Sequence, residues 1–342
     1  MEAPHDLPQT TFNKTSKVRL PPARYCRLRF NVASGSSKMP LANENLFDVL
    51  PEELELEPIL PGAPRRVVAK TRQCIYCGAL TRRPNSTQAC TDEHIVPEAI
   101  GGQIIIDHAS CDACADLINS YEGDLLSRLF WLPRNKIGLK GKKRARGNRS
   151  SLVNAVVNGQ EVATVLPIED NPSFLTLPFF YRPNILELPD GLRLGSFGIW
   201  VHQFEDIEKL QRHGVGEFAT PPLDTLRFAQ LLAKIAHGYA ISQMGFSWHP
   251  DEAGPTIGGY QSVLLPLIRK RFSRKDIFGS YLDYVGGFPG NYAPSSSLHD
   301  LGAGFLLHEG QDYLVVWLRL FASFGAPIYW IIVGCRQAKE PS

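Results

Sequence analysis

Long apolar runs are missing from this chain of 342 residues. None approaches the roughly 18 to 20 consecutive apolar residues that a membrane-spanning helix needs. The first 30 residues hold no apolar stretch of the length that a signal peptide requires. The numbers of acidic and basic residues are nearly equal, so the net charge is only +2. We therefore expect a cytoplasmic protein without a membrane partner, in which nucleic-acid binding depends on where the positive charges lie.

The chain has seven cysteines, which are not expected to form disulfides in a reducing compartment. Four of them form two Cys-x-x-Cys pairs, Cys74 with Cys77 and Cys111 with Cys114, separated by 33 residues. In each pair, two thiolates have the spacing that lets them reach one tetrahedral zinc ion. We predict that the two pairs bind one structural Zn²⁺ together. The alternative is four buried thiols that pack as small apolar side chains.

Between the two pairs, residues 91 to 102 read Thr-Asp-Glu-His-Ile-Val-Pro-Glu-Ala-Ile-Gly-Gly. The phrase Glu-His-Ile-x-Pro-Glu-x-x-Gly-Gly, followed by Ser-Cys-x-x-Cys, resembles the HNH endonucleases over residues 74 to 122. The resemblance implies a two-stranded hairpin and a helix around one divalent metal ion, which is the ββα-metal arrangement. It also implies that DNA is the partner.

The resemblance assigns chemistry to two adjacent residues. Hydrolysis of a phosphodiester bond needs a water molecule that loses a proton near neutral pH, and histidine has the side-chain pKa closest to that range. His94 matches the general base of the family, and Glu93 matches the ligand of a catalytic Mg²⁺ or Mn²⁺. The structural alternatives are a zinc ligand or surface imidazole for His94 and a solvated acid for Glu93.

Two positions depart from the family pattern. The asparagine that usually lies a few residues before the second cysteine pair is missing, and Asp107 and His108 are found near that position. We predict His108 as a catalytic helper, with Asp107 or a backbone carbonyl as alternatives.

The histidine or asparagine that commonly follows the last cysteine is also missing, because Ala115 stands there. Residues three and four apart are neighbours on a helix, so Asn119 or Glu122 can face the metal. Asn119 is the first choice, and Asp116 fits less well.

A basic arm, residues 134 to 149, holds eight lysines or arginines and no acid. Its glycines disfavour a stable helix. Positive charge without base-reading geometry gives phosphate contacts that are independent of DNA sequence, although a solvated linker is the alternative. The predicted DNA contacts are Lys140, Lys142, Lys143, Arg144, Arg146 and Arg149.

The predicted fold class is α+β, with a small zinc-stapled ββα-metal module followed by a larger α+β domain. The boundaries are 1–66 for a mostly disordered extension, 67–133 for the HNH module with its four-cysteine zinc site, 134–149 for the basic arm and 150–342 for a domain of unknown task. In the last region we predict a hairpin turning at Asn158-Gly159, a helix after Pro221-Pro222, and final strands over 313–321 and 327–334.

The sequence thus predicts a metal-dependent HNH endonuclease that hydrolyses phosphodiester bonds in DNA. One alternative is a non-catalytic, zinc-stabilised nucleic-acid-binding protein with a decayed active site, which Ala115 and the missing asparagine favour. Another is a zinc-stapled protein-interaction module.

Overall fold

The computed structural model describes residues 26–28, 57–80, 90–139, 150–157, 160–167, 171, 173–181, 183–186, 197–204, 215–220, 223–248, 254–269, 283–288 and 292–337. Both helices and strands occur in these ranges, which confirms the α+β class. No helix within them is long and apolar enough to cross a membrane. The helices are α1 Asp112–Arg128, α2 Trp131–Lys136, α3 Thr225–Met244 and α4 Leu265–Arg269, with short 3-10 helices at Glu98–Ile100 and Ala322–Phe324. The strands are β1 Cys26–Leu28, β2 Glu57–Ile59, β3 Arg66–Lys70, β4 Thr91–His94, β5 Ile104–Ser110, β6 Ser150–Val157, β7 Gln160–Pro167, β8 Phe174–Phe180, β9 Phe197–Gln203, β10 Val215–Thr220, β11 Phe246–Ser247, β12 Thr256–Ile257, β13 Tyr260–Ser262, β14 Val285–Phe288, β15 His299–His308, β16 Gln311–Leu320 and β17 Ile328–Gln337.

A small sheet with the order β3-β5-β4 carries the segment between the cysteine pairs. Strand β5 is antiparallel to β4 and parallel to β3, and its isoleucines at 104 to 106 are buried. The pairing of β4 with β5 shifts register between Thr91 and Glu93, so the ladder is irregular there. Cys111 immediately follows β5 and is the N-cap of α1. The strand therefore leads directly from the hairpin into the second cysteine pair.

A larger sheet has the order β11-β12-β13-β17-β16-β15-β2, and β14 also pairs with β17. Strand β2 pairs with the first residues of β15, and Ile59 on β2 is buried. The edge of β15 offers the hydrogen-bonding groups with which residues 57 to 59 pair, and these residues belong to the extension predicted as mostly disordered. The predicted final strands are confirmed as β16 and β17, which are joined by a short 3-10 helix.

Helix α3 follows Pro221-Pro222 as predicted. The Asp224 side chain accepts a hydrogen bond from the backbone N–H of Arg227 at 3.0 Å, and Gly245 is the C-cap. Every residue from Phe228 to Ile241 is buried, as expected for a helix that is enclosed on all sides. Helix α3 packs against α1, α4, β16 and β17, so it lies between the cysteine region and the larger sheet.

A separate four-stranded sheet has the order β1-β10-β6-β7, and β8 pairs with β9 in a two-stranded sheet. Val157 pairs with Gln160, which confirms the predicted hairpin with a two-residue connection. Residues 158 and 159 themselves lie outside the described residues.

The cysteine region shares one apolar core with the C-terminal part of the chain. Ile95 and Ile118 belong to the same buried cluster as Ile235 on α3 and Val316 on β16. The predicted division at residue 150 stays a prediction, but the core is continuous across the described residues on either side of it.

Two buried histidines hydrogen-bond across this core. His237 Nε2 lies 3.0 Å from the carbonyl oxygen of Ile75, and His299 Nε2 lies 2.7 Å from the carbonyl oxygen of Ile100. The Nδ1 atom of His299 accepts a hydrogen bond from the backbone N–H of Phe321 at 3.0 Å, so the proton of the neutral ring is on Nε2. Burial lowers the pKa of both histidines to about 4.

Candidate functional site

The four paired cysteines converge. The sulfur atoms of Cys74, Cys77, Cys111 and Cys114 all lie within 4.8 Å of one another, and the sulfurs of Cys77 and Cys111 are 3.6 Å apart. Tetrahedral zinc with Zn–S bonds of about 2.3 Å places its sulfurs about 3.8 Å apart. The four thiols therefore fit one metal ion such as zinc.

The first pair is held in a tight turn. The backbone N–H of Gly78 donates to the carbonyl of Cys74 at 2.9 Å, and Gln73 and Leu80 form a bridge on either side. Gly78 has φ +73°, a left-handed conformation that favours glycine. A Cβ atom at this position would lie 2.9 Å from the indole of Trp248. The glycine after the first pair is therefore required both by the turn and by the close approach of Trp248.

The second pair lies at the start of α1, where Cys111 is the N-cap and Cys114 is in the first turn. The N-terminus of a helix stabilises negative charge, including that of thiolates. A hydrogen bond between the Cys74 and Cys114 thiols lowers the pKa of Cys74 to about 5 and raises the pKa of Cys114. The arrangement thus favours thiolate formation at Cys74, and metal binding requires thiolates.

Glu93 is paired with a lysine that is distant in sequence. Lys234 on α3 places its Nζ atom 2.6 Å from Glu93 Oε1 and 3.0 Å from Glu122 Oε1. The same ammonium donates to the carbonyl oxygen of His94 and to that of Ile95, the latter at 3.3 Å. The Lys234 side chain is 1% exposed, and those of Glu93 and Glu122 are 10% and 11% exposed.

The charges in this group of three, Glu93, Lys234 and Glu122, depend on one another. Burial alone would lower the pKa of Lys234, but the carboxylates of Glu122 and Glu93 outweigh burial and hold it above its ordinary value. Burial raises the pKa of Glu122, although Lys234 opposes that rise. Lys234 is therefore an ammonium ion in the folded protein. No local pattern in the sequence connects α3 with β4, so the sequence does not indicate this contact of Lys234.

His94 is the last residue of β4 and lies opposite Ile105 on β5. Its side chain is 18% exposed, and its Nε2 atom is 4.0 Å from Glu98 Oε2. Glu98 also forms an ion pair with Arg65. Pro97 follows shortly after the end of the strand. His94 and Glu93 therefore lie at a strand end, with the imidazole beside Glu98 and the carboxylate beside Lys234.

His108 belongs to a different group. Its Nδ1 atom lies 3.1 Å from Asp107 Oδ1 and 3.8 Å from Asp92 Oδ1, and its side chain is 52% exposed. Asp92, Asp107 and His108 offer ligand atoms within 4.8 Å of one another. The structure thus groups the predicted helper with the exposed Asp92 and the half-buried Asp107, whereas Glu93 is buried against Lys234.

Asn119, the first choice for a second ligand of the divalent ion, is exposed on α1. The buried face of this helix carries Ile118, Tyr121, Glu122 and Leu125. Glu122 was the alternative, and it is the α1 residue that approaches Glu93 through Lys234. Glu122 lies on the buried face because it is four residues from Ile118, and residues four apart on a helix share a face.

The residues predicted to hold a catalytic divalent ion do not fit a shared site, because Glu93 is buried in an ion pair and Asn119 is exposed. The predicted DNA contacts Lys140, Lys142, Lys143, Arg144, Arg146 and Arg149 lie outside the described residues. Comparison of the chain with models of protein families, with curated proteins and with solved structures found no match.

Proposed function

We propose that the protein is a zinc-stapled HNH-type endonuclease that hydrolyses phosphodiester bonds in DNA, with His94 as the general base. The position of His94 carries this proposal. It stands at the end of β4 in an antiparallel pair of strands, and β5 of that pair leads directly into α1 and the second cysteine pair. Two strands followed by a helix are the elements that the HNH resemblance implies. The proposed cellular location is the cytoplasm.

In this proposal His94 takes a proton from a water molecule, and the resulting hydroxide attacks phosphorus. The bond from phosphorus to the leaving oxygen breaks, and that oxygen takes a proton from solvent water to become a hydroxyl. An imidazole suits this role because its ordinary pKa lies near neutral pH. The carboxylate of Glu98, 4.0 Å from Nε2, stabilises the imidazolium that forms.

The metal held by the four cysteines is proposed to be zinc with a structural role. Four thiolates complete a tetrahedral coordination shell, which leaves no open position for water or substrate. The ion then ties the start of α1 to the turn at residues 74 to 78.

A catalytic Mg²⁺ or Mn²⁺ would supply positive charge at the leaving oxygen. Glu93 and Asn119 do not fit such an ion as they are arranged, so the role of His94 is proposed without it.

The second candidate is a zinc-stabilised DNA-binding module that does not cut. The ion pair of Glu93 with Lys234 favours it, because this pair occupies the carboxylate that the resemblance assigns to the catalytic ion. In both candidates, the basic arm is proposed to contact DNA phosphates.

A supercoiled-plasmid assay separates the two candidates. Wild type, His94→Ala and the matched control His308→Ala, on β15, are compared without added divalent ion and with Mg²⁺ or Mn²⁺, and DNA retention is measured on the same samples. The endonuclease proposal predicts that the wild type and His308→Ala cut the plasmid and that His94→Ala does not. Retention without cutting in every condition would support the binding module instead.

A further inference from the structure

The ammonium group of Lys234 is surrounded by oxygen atoms from two other segments. Four oxygens face it: one carboxylate oxygen each of Glu93 and Glu122, and the carbonyl oxygens of His94 and Ile95. Carboxylate and carbonyl oxygens are also the ligands that hard divalent cations take in proteins. A lysine ammonium provides three donors and one positive charge in a fixed place.

We infer that the Lys234 ammonium is the resident cation of the Glu93–Glu122 carboxylate pair, in the place of the divalent ion that the HNH resemblance assigns to Glu93. The chain thus carries the cation as a side chain of α3. Since the inference concerns ion binding, it does not rest on the proposed cleavage.

Charge explains why the ammonium would exclude a divalent ion. A second cation placed between the carboxylates would meet the like charge of Lys234 at close range, in a region where little water screens it. Removal of the ammonium leaves two buried carboxylates without a cation. That arrangement attracts a divalent ion strongly, because each carboxylate oxygen can become a ligand.

Mn²⁺ binding tests the inference. Free Mn²⁺ is measured by electron paramagnetic resonance during titration of zinc-loaded, full-length protein. Every protein carries Asp92→Asn and His108→Ala, so that the group these two residues form with Asp107 does not add a site. In this background we compare no further change, Glu93→Gln, Lys234→Met, and Lys234→Met with Glu93→Gln. Methionine keeps an unbranched stem and removes the charge.

We expect the background protein to bind no Mn²⁺ in a Glu93-dependent way. Lys234→Met should gain one Mn²⁺ site whose affinity is at least about tenfold higher than that of any Mn²⁺ site in the background protein. The added Glu93→Gln should remove this site. Mn²⁺ that the background protein binds and Glu93→Gln abolishes would overturn the inference. A folded Lys234→Met protein without an added Mn²⁺ site would do the same.

Lys234→Met can fail to fold, since it leaves buried carboxylates unpaired. The triple change Lys234→Met, Glu93→Gln and Glu122→Gln removes all three charges and should fold, and Lys234→Met alone should be stabilised by Mn²⁺ in thermal melts. If Lys234→Met does not fold even with Mn²⁺, the inference is tested by comparing Mn²⁺ binding to the background protein with Mn²⁺ binding to Glu93→Gln. A plasmid assay negative for wild type would reject cleavage without affecting these Mn²⁺ results.

Discussion

A buried ammonium is stable only where opposite charge and hydrogen bonds replace its hydration. Lys234 meets this condition through Glu93, Glu122 and two backbone carbonyls. The group joins α3 to β4 and α1, and α3 lies far from both of them in the sequence. The same contacts therefore contribute to stability and determine what Glu93 is able to bind.

Replacement of Lys234 by alanine is expected to destabilise the protein by about 3 to 5 kcal/mol, because it leaves buried charge without its partner. The matched control is Lys70→Ala, which removes an ion pair between Lys70 and Asp107. The Lys70 side chain is 66% exposed. Lys70→Ala should lower the free energy of unfolding by only about 0 to 1 kcal/mol. Denaturant unfolding of both variants measures the difference, and equal losses would show that the buried group is not a special source of stability.

His299 is expected to make the protein less stable as the pH falls. Burial lowers its pKa to about 4 in the folded state, from an ordinary value of 6.5. Between these values the unfolded chain binds a proton that the folded chain does not. The contribution of His299 to the free energy of unfolding is therefore fully present above about pH 6.5. As the pH falls towards about 4, on the order of 3 kcal/mol of that contribution is lost.

His299→Gln should flatten the dependence of unfolding free energy on pH in that window. If the wild type and His299→Gln had the same slope, His299 would not be neutral and buried in the folded state.

At the scale of elements, the metal site joins a turn to the start of a helix. Cys74 and Cys77 stand in the turn, and Cys111 and Cys114 stand at the N-terminus of α1. The zinc ion proposed for this site would stabilise both elements together, because its binding free energy would add to the folding free energy.

Cys111→Ser is expected to lose zinc and to unfold α1 and the adjoining turn. The control Cys335→Ser changes a free cysteine on β17, outside the four-cysteine group, and should keep zinc. Metal content of the purified proteins and protection of α1 amides from hydrogen exchange measure the two effects. Full zinc content in Cys111→Ser would contradict the four-thiolate site.

Elements whose signals are local were predictable from the sequence. The hairpin of β6 and β7, the capped helix α3 and the final strands β16 and β17 each have turn or capping residues close by. The four cysteines that could hold one metal ion were also predictable, because the spacing within each pair is a local signal. In contrast, Lys234 contacts a carbonyl 140 residues away, and β2 pairs with β15 across an even longer interval. The choice between Asn119 and Glu122 also required the packed face of α1, which spacing alone did not decide.

At the scale of the whole molecule, the cysteine region does not pack alone. Its core is continuous with that of α3 and the larger sheet, and His237 and His299 hydrogen-bond to carbonyls at Ile75 and Ile100. We therefore expect that changes in α3 affect the strand end that carries His94. The C-terminal part supports the candidate site directly through Lys234.

The basic arm is expected to add sequence-independent DNA affinity. Replacement of Lys142, Lys143, Arg144 and Arg146 by glutamine should flatten the slope of log affinity against log salt by up to about 0.9 per lost phosphate contact, equally for unrelated DNA sequences. The control removes four positive charges from the N-terminal region, Lys14, Lys17, Arg19 and Arg24. A slope that the arm variant leaves unchanged would show the arm to be a solvated linker.

The rate of DNA cutting by His94→Ala, measured beside its DNA affinity, tests the central claim most directly. Loss of a general base typically lowers a rate by on the order of 100- to 10,000-fold and leaves the binding surface intact. We predict a reduction in that range with unchanged DNA retention and zinc content, while His308→Ala cuts at the wild-type rate. Cutting by His94→Ala at the wild-type rate would contradict the assignment of His94 as the base.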